Sequence, residues 1–500
     1  MADTINSILK IITSTQPVPK VHSNTVLTNA TKIKLLSYQE KHVVRLITIL
    51  LKKYIAQDSS DTGTGKTYGA TAVCKELDRK PIIVCPKTLI FIWISVLEYF
   101  GVEYYDIVNY ETLRNGKTYR DNRFKSRKFA PYLEIADHVP GNHGQYMYNW
   151  DVPKDAIIIF DEVHRCKDPS TSNGKLLLSL KQLIDKKIPV LLLSATICEK
   201  YTDMKIPFFL YNFIPNTANY NWYIKSIQMK HSKYQFDDKD SDDDNDRIVQ
   251  ENIQALIIYE EIKEFVSRVR IKDLGNKFPN DQVCCQQFLA DESDKISEAY
   301  DQIAKLLKAL KENPGSNHLA KIIKLKQEIE FRKVPIFIEQ AQLYLDEGKS
   351  VVIFVNFLDT LRVLSSELDI RCKIFGDQTM TERLEAIRLF QSNEERIIIC
   401  QIRAGGIGIS LHDLSGGHPR VSLMNFPDTG TDLLQALGRI RRSGAKSPTL
   451  QRIIFVANVE YEKIIMQNIN RKLANLSASN DGDFYNYKYD IKKINRKAKK

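Results

Sequence analysis

No stretch of 18 uncharged apolar residues occurs in the 500-residue chain, and MADTINSILKIITSTQPVPK at its start lacks a basic opening followed by a long apolar core. A membrane span needs about twenty apolar residues in a row and a secretory leader needs that charged-then-apolar order, so neither is expected. Cysteine is scarce: the eight present have no paired spacing, and Cys284 and Cys285 are adjacent, which suits neither a disulfide framework nor two ligands on one metal. Reduced thiols in an intracellular, non-secretory compartment are the expectation. Acidic residues are also short of parity, with 61 Asp and Glu against 72 Lys and Arg, a net charge of +11 and a pI near 9.0. Such a surplus suits a polyanionic partner such as a phosphate backbone.

What is present is ample apolar material, 43% of residues, in a chain too long for one core. Short apolar runs recur after Leu36: PIIVCP (81–86), AIIIFDE (156–162) and PVLLLSAT (189–196). They read as strands buried on both faces of a parallel sheet. A second series, SVVIFVN (350–356), RIIIC (396–400), RVSLMN (420–425) and QRIIFVAN (451–458), predicts a second lobe of the same kind. Between its first two members, TERLEAIRLFQ predicts a helix with Leu384, Ile387 and Phe390 near one face. The expected class is α/β: two parallel-sheet lobes with a mainly helical insert between them. The expected boundaries are an N-terminal segment 1–30, a first lobe 31–215, an insert 216–330, a second lobe 331–470 and a tail 471–500.

The insert opens on FDDKDSDDDND (236–246), which predicts a solvated acidic linker. Helical spacing follows in Ile296, Tyr300, Ile303, Leu307 and Leu310, breaks at Pro314-Gly315 and resumes near Leu319. The last thirty residues hold nine Lys or Arg against three Asp, with Phe484, Tyr485, Tyr487 and Tyr489 before a basic end. Nucleic-acid contact and a frayed solubilising tail fit that composition equally well.

Chemistry concentrates in SSDTGTGKT (59–67). Gly63 and Gly65, with Thr62 and Thr64 between and before them, allow a tight loop whose backbone N–H groups face phosphate oxygens. Lys66 supplies a mobile cation for the β- and γ-phosphates of ATP, and the Thr67 hydroxyl can ligate Mg²⁺. The next residues, YGATAVCKEL, look helical, so the phosphates would also meet a helix N-terminus. Asp161 and Glu162 follow an apolar strand, where one carboxylate can hold Mg²⁺ and the other orient the attacking water. His164 beside that pair, and Ser194, Ala195 and Thr196 further on, are candidates for coupling nucleotide state to a substrate.

These residues resemble superfamily 2 helicases with an Asp-Glu-X-His box, and several segments are most similar to the Swi/Snf-type branch over roughly 31–215 and 331–460. LLSYQ (35–39) is similar to that branch's opening motif, which implies that Gln39 recognises adenine. PKTLIFIW (86–93) and NYETLR (109–114) look like strand-binding motifs. QIRAGGIGISL (401–411), which contains Gly408, resembles the glycine-rich coupling motif. QALGRIRR (435–442) resembles the arginine motif, which implies that Arg439 and Arg442 reach the γ-phosphate with help from Gln435. The pattern departs from the branch at Asp61-Thr62, where a Glu-Met or similar pair is usual, and at Ala445, where Gln is frequent. SLHDLSGGHPRVSLMNFPD (410–428) is similar to helicases of large DNA viruses, so nucleus, cytoplasm, viral factory and virion all fit as compartments.

The resemblance implies a nucleic-acid-stimulated ATPase that translocates on or remodels DNA within transcription, replication or repair machinery. Two other readings share these motifs: an RNA-unwinding enzyme, and an adaptor that uses ATP only as a clamp on nucleic acid. A full hydrolytic set in Glu162, Arg439 and Arg442 counts against the clamp.

Overall fold

The computed structural model describes residues 26–121, 126–136, 147–196, 200–230, 244–313, 317–402, 409–427, 429–482 and 491–492. The chain divides into two compact units, Met1–Asp273 with Lys472–Tyr485, and Leu274–Arg471 with Asn486–Lys500. The segment 216–330 is therefore shared between the units, and the beginning of the tail returns to the first. Among the described residues no helix is long and apolar enough to cross a membrane.

The first unit runs α1 (Ser37–Lys53), β1 (Ile55–Asp58), α2 (Lys66–Glu76), β2 (Lys80–Cys85), α3 (Ile90–Phe100) and β3 (Asp106–Asn109). Two antiparallel pairs follow, β4 (Lys117–Tyr119) with β5 (Arg127–Phe129) and β6 (Leu133–Ile135) with β7 (Tyr148–Trp150). Then come β8 (Ala156–Asp161), α4 (Ser172–Leu178), β9 (Val190–Leu193), α5 (Tyr220–Lys230), α6 (Asp244–Ile262) and β10 (Val266–Ser267). Six strands form one parallel sheet in the order β10-β1-β9-β8-β2-β3. Its central strands are apolar along their length because helices cover both faces: every residue of β8 and β9 is buried. Helix α1 turns one face inward, burying Gln39, His42, Val43, Leu46, Ile47 and Leu50 at helical spacing. Asp244–Asp246, expected in the acidic linker, open α6, while 236–243 lie outside the described residues.

The second unit begins with β11 (Asp281–Phe288), an eight-residue strand inside the expected helical insert. It continues through α7 (Ser293–Glu312), α8 (His318–Arg332), α9 (Val334–Asp346), β12 (Ser350–Val355), α10 (Leu358–Glu367), β13 (Cys372–Ile374), α11 (Met380–Gln391), β14 (Ile397–Gln401) and β15 (Arg420–Asn425). It ends with α12 (Gly430–Ile440), β16 (Thr449–Val456), α13 (Glu460–Asp481) and β17 (Ile491–Lys492). All seven strands are parallel, in the order β13-β14-β12-β15-β16-β11-β17. Every apolar run singled out in the sequence lies in one of the two sheets.

Helix α11 forms where TERLEAIRLFQ predicts it, and Thr379 caps it reciprocally with Glu382. Its inner face is Arg383, Ala386 and Phe390, not the expected set, and Leu384 is exposed. Arg383 lies inward because its guanidinium donates to the carbonyls of Phe375 and Gly376 while its stem packs. Residues 471–481, expected in a frayed or nucleic-acid-binding tail, extend α13 and bury Leu473, Leu476 and Ala478; Phe484, Tyr485, Tyr487 and Tyr489 lie outside the described residues.

Candidate active site

Three neighbouring strands of the first unit deliver its chemistry to one edge. The phosphate loop leaves β1, Asp161 ends β8 and Ser194 follows β9, with Asp58 and Asp161 both in register with Leu193 between them. This is the C-terminal edge of a parallel sheet, where open α/β folds bind ligands.

In the loop, Gly63 and Gly65 take φ of 87° and 89°, which only glycine adopts without strain. A side chain on Gly65 would also collide with Gln39, whose amide donates to the Thr64 carbonyl at 2.9 Å and whose Oε1 accepts from Leu36 N. Lys66 folds back so that Nζ donates to the carbonyls of Ser60 at 2.9 Å and Asp61 at 3.4 Å. Thr67 lies in the first turn of α2, half-buried.

Ser60, standing where a glycine is usual, accepts a hydrogen bond from Val269 N at 2.9 Å. That bond belongs to a brace which the sequence did not reveal. Residues 265–271 run beside the loop: Ser59 N donates to Ser267 O, Asp61 N donates to Val269 O, and Ile271 N donates to the Asp61 carboxylate. Arg268 pairs with Asp61 at 2.9 Å and, through Nε, with Asp481 at 3.2 Å. Behind the loop, His42 faces Asp58 at 3.0 Å and Ser267 at 2.8 Å. Burial alone pushes the Asp58 carboxyl up, but His42 and then Lys66 and Ser60 outweigh it and hold it below its ordinary value.

Asp161 is buried, accepting from Trp93 Nε1 at 2.9 Å and from Glu162 N. Burial first, and the adjacent Glu162 charge second, push its carboxyl well above the usual range. A buried carboxylate raised in this way would suit a divalent cation, and Asp161 with the Thr67 hydroxyl would fit the sparse oxygen set that Mg²⁺ takes when it keeps waters and phosphate oxygens as its other ligands. Glu162 sits in the left-handed region, φ 56°, which sets its side chain apart from that of Asp161. Its Oε2 lies 3.3 Å from His164 Nδ1, and the same ring nitrogen lies 3.0 Å from Ser194 Oγ. Ser194 in turn accepts from Thr196 N at 3.2 Å, and all three residues from Ser194 to Thr196 are buried.

In the second unit, the arginine motif occupies α12, capped by Thr429 accepting from Asp432 N. Gln435 and Arg439 are buried. Arg439 Nη1 at 3.3 Å and Arg442 Nη2 at 2.9 Å both donate to the carbonyl of Ile409, in the glycine-rich segment. Gly408 itself lies outside the described residues. His412, unmarked by sequence reasoning, is held down to about 4 by burial first and then by Arg442 and Arg420. The following turn is built on Asp413, whose carboxylate accepts from Ser415 N and Gly416 N. Arg420 then lies fully buried against the Phe390 ring and Asn393.

A phosphate loop and an adjacent carboxylate pair on one parallel sheet, Asp161 of the pair buried, with an arginine helix on the other sheet's unit, define the class of two-lobed P-loop ATPases. The comparisons narrow that class. Residues 32–199 match the family described as type III restriction enzyme, res subunit, and 333–444 match the helicase conserved C-terminal domain. A protein of Acanthamoeba polyphaga mimivirus named "Putative ATP-dependent RNA helicase" is 60% identical over 495 residues, covering 98% of this chain and 92% of its own length. An ATP-dependent rRNA helicase of Encephalitozoon cuniculi is 29% identical over 138 residues, covering 26% of this chain and 32% of its own. Among solved structures, the Sulfolobus solfataricus SWI2/SNF2 ATPase core with double-stranded DNA aligns at 18% identity and TM-score 0.35, covering 92% of this chain and 96% of that one. The chain belongs to the superfamily 2 helicases, enzymes that use ATP.

Proposed function

We propose that the protein is an ATP-driven translocase that moves along or remodels DNA, with its ATPase stimulated by the nucleic acid. The observation that carries this reading is the side-chain relay from Glu162 through His164 to Ser194. It ties the group that would orient the attacking water to the Ser-Ala-Thr segment, so substrate contact and hydrolysis bias one another. Lys66 leaves its carbonyl perch for the nucleotide phosphates, and the N–H groups of Thr62 to Gly65 cradle them. Asp161 and Thr67 hold Mg²⁺, which when bound neutralises phosphate charge. Gln39, already seated on the loop, reads adenine. Arg439 and Arg442, with Gln435 and the segment around Gly408, exchange the Ile409 carbonyl for the γ-phosphate as charge develops on it.

The test is phosphate release with no nucleic acid, duplex DNA, single-stranded DNA and RNA in turn. Stimulation is expected, strongest with DNA; a folded sample that none of them stimulates overturns the reading. The name of the mimivirus relative favours a second reading, an RNA-directed enzyme, which RNA-selective stimulation would establish. Glu162→Gln separates motor from clamp: turnover falls by about 10²–10⁴-fold and translocation stops, whereas a clamp keeps working.

A further inference from the structure

Nothing in the ATP site explains where the chain keeps its surplus charge. Residues 302–327 hold six lysines against one glutamate, a surplus of five, and 471–500 hold nine basic residues against three acidic, a surplus of six. Those two segments together equal the entire net charge of +11, so the rest of the chain is balanced. The first segment is the distal half of the α7–α8 hairpin.

Charge along the hairpin is segregated. Near its base, Asp294, Glu298 and Asp301 are interspersed with Lys295, and Glu292 pairs with Lys295 at 2.5 Å and with Arg332, which also meets Glu328 at 2.6 Å. Toward its tip, Lys305, Lys308, Lys311, Lys321 and Lys324 are all exposed, and none has an ion-pair partner among the described residues. On α7 the three lysines recur every third residue, Lys305 and Lys308 on the side away from buried Ile296, Tyr300 and Ile303 and Lys311 further round toward them. Like charges so gathered repel one another and cost stability, so a helix pair built only for solubility would intersperse the two signs.

The hairpin is also firmly rooted. Buried Glu330 accepts from Asn356 N at 2.9 Å, Phe357 N at 3.0 Å and Asn425 Nδ2 at 3.1 Å, at the C-terminal ends of β12 and β15. Lys333 pairs with Glu462 at 2.5 Å, both nearly fully buried. From Glu330 to Lys321 the helix runs about 14 Å. The helix pair thus starts at the C-terminal edge of the second sheet and carries, away from it, ammonium groups without an ion-pair partner among the described residues.

We infer that the α7–α8 tip is a contact surface for the phosphate backbone of duplex nucleic acid, separate from the motifs that bind ATP. Lysines are point charges that neutralise phosphates without reading bases, and 302–327 contain neither arginine for bidentate contact nor any Phe, Tyr or Trp ring, His318 being the one ring on which an unpaired base could stack. The contact is therefore sequence-independent and favours duplex over single strand. The inference rests on the proposed nucleic-acid-stimulated ATPase.

Its test uses the full chain with Lys305, Lys308, Lys311, Lys321 and Lys324 all changed to Gln, and a second variant with the same five changed to Arg. ATPase without nucleic acid should be unchanged in both. Duplex affinity should fall at least tenfold in the Gln variant, and the slope of log affinity against log salt should shrink by about 3–4, since each phosphate contact contributes about 0.9. The Arg variant should keep both. If the wild type is stimulated by and binds duplex, yet the Gln variant binds with the same affinity and slope, the inference alone is overturned. If the wild type binds no nucleic acid, the inference falls with the functional reading. Exposed Leu319 and Ile323 on the same tip define the rival occupant, an acidic protein: loss of polyglutamate binding in the Gln variant with duplex binding intact would overturn the inference in its favour.

Discussion

The two lobes shift titratable groups in opposite directions beside the proposed ATP-binding residues. In the first, Asp161 is pushed up by burial and by Glu162, a site with too little positive charge. In the second, His412 is pushed down by burial, Arg442 and Arg420, a site with too little negative charge. Each lobe nevertheless rests its cations on main-chain carbonyls: Lys66 on Ser60 and Asp61, Arg439 and Arg442 on Ile409. A carbonyl offers a cation a dipole where phosphate offers full charge, so phosphate competes well with these contacts. On the proposed reading, a magnesium nucleotide would supply a cation for the carboxylates and an anion for the arginines.

The sharpest way to break this comparison is to remove the anion-seeking half. Arg439→Ala, and separately Arg442→Ala, should lower kcat by about 10³-fold or more while leaving ATP affinity within a few-fold, because a finger acts on charge that develops in the transition state. Equal losses in affinity and kcat would show that the arginines serve ground-state binding, and the contrast between the lobes would lose its mechanistic meaning.

The relay inside the first lobe is the next test. Ser194→Ala removes the hydroxyl at 3.0 Å from His164 and leaves Lys66, Asp161 and Glu162 in place. Basal ATPase should stay within about twofold, whereas stimulation by nucleic acid should drop on the order of tenfold, the size of a typical coupling free energy. A fall in basal rate with the stimulation ratio preserved would make Ser194 a part of the hydrolytic machinery and dissolve the relay.

Removing a donor from the cation-seeking half has a smaller effect. Trp93→Phe takes away the indole N–H that Asp161 Oδ2 accepts, and a buried acceptor left bare costs about 1–3 kcal/mol. The apparent melting temperature should fall without nucleotide, and the loss should narrow when Mg²⁺ and ADP are added, since the cation then takes over the carboxylate. An equal loss in both conditions would mean that Trp93 acts by packing alone.

How much of this was legible in the sequence follows from how far each residue's partner lies along the chain. The apolar strands and the glycine loop announce themselves, because burial on both faces and positive φ each demand one narrow residue class. Strand β1 hides, since IAQD ends in two polar residues; both are buried, Gln57 held by Tyr211 and Asp58 by His42. Strand β11, DQVCCQQF, hides for the same reason, with Asp281 accepting from Arg441, Thr449 and Gln451 far downstream. The brace on Asp61 comes from Arg268, 207 residues away, and no local pattern encodes a pairing of that span. Leu384 misleads in the opposite way: it has the right period for a core face, but the helix buries Arg383 in its place because two free carbonyls wait there.

The smallest effect tests the other side of the electrical contrast through pH. His412 has a folded value of about 4 against an ordinary 6.5, because burial and two neighbouring guanidinium groups oppose its protonation, and among the described residues its buried Nδ1 has no hydrogen-bond partner. Between those values the unfolded chain takes up a proton that the folded chain refuses. This residue therefore contributes stability that is fully present above pH 6.5 and is lost as pH falls toward 4. In His412→Asn that proton is gone from both states. The wild type should then lose melting temperature faster than the variant from pH 7 to 5, by a few degrees, with the two curves parallel above pH 7. Parallel curves throughout would mean that His412 is as easily protonated folded as unfolded, and the second lobe would no longer be the cation-rich partner of the first.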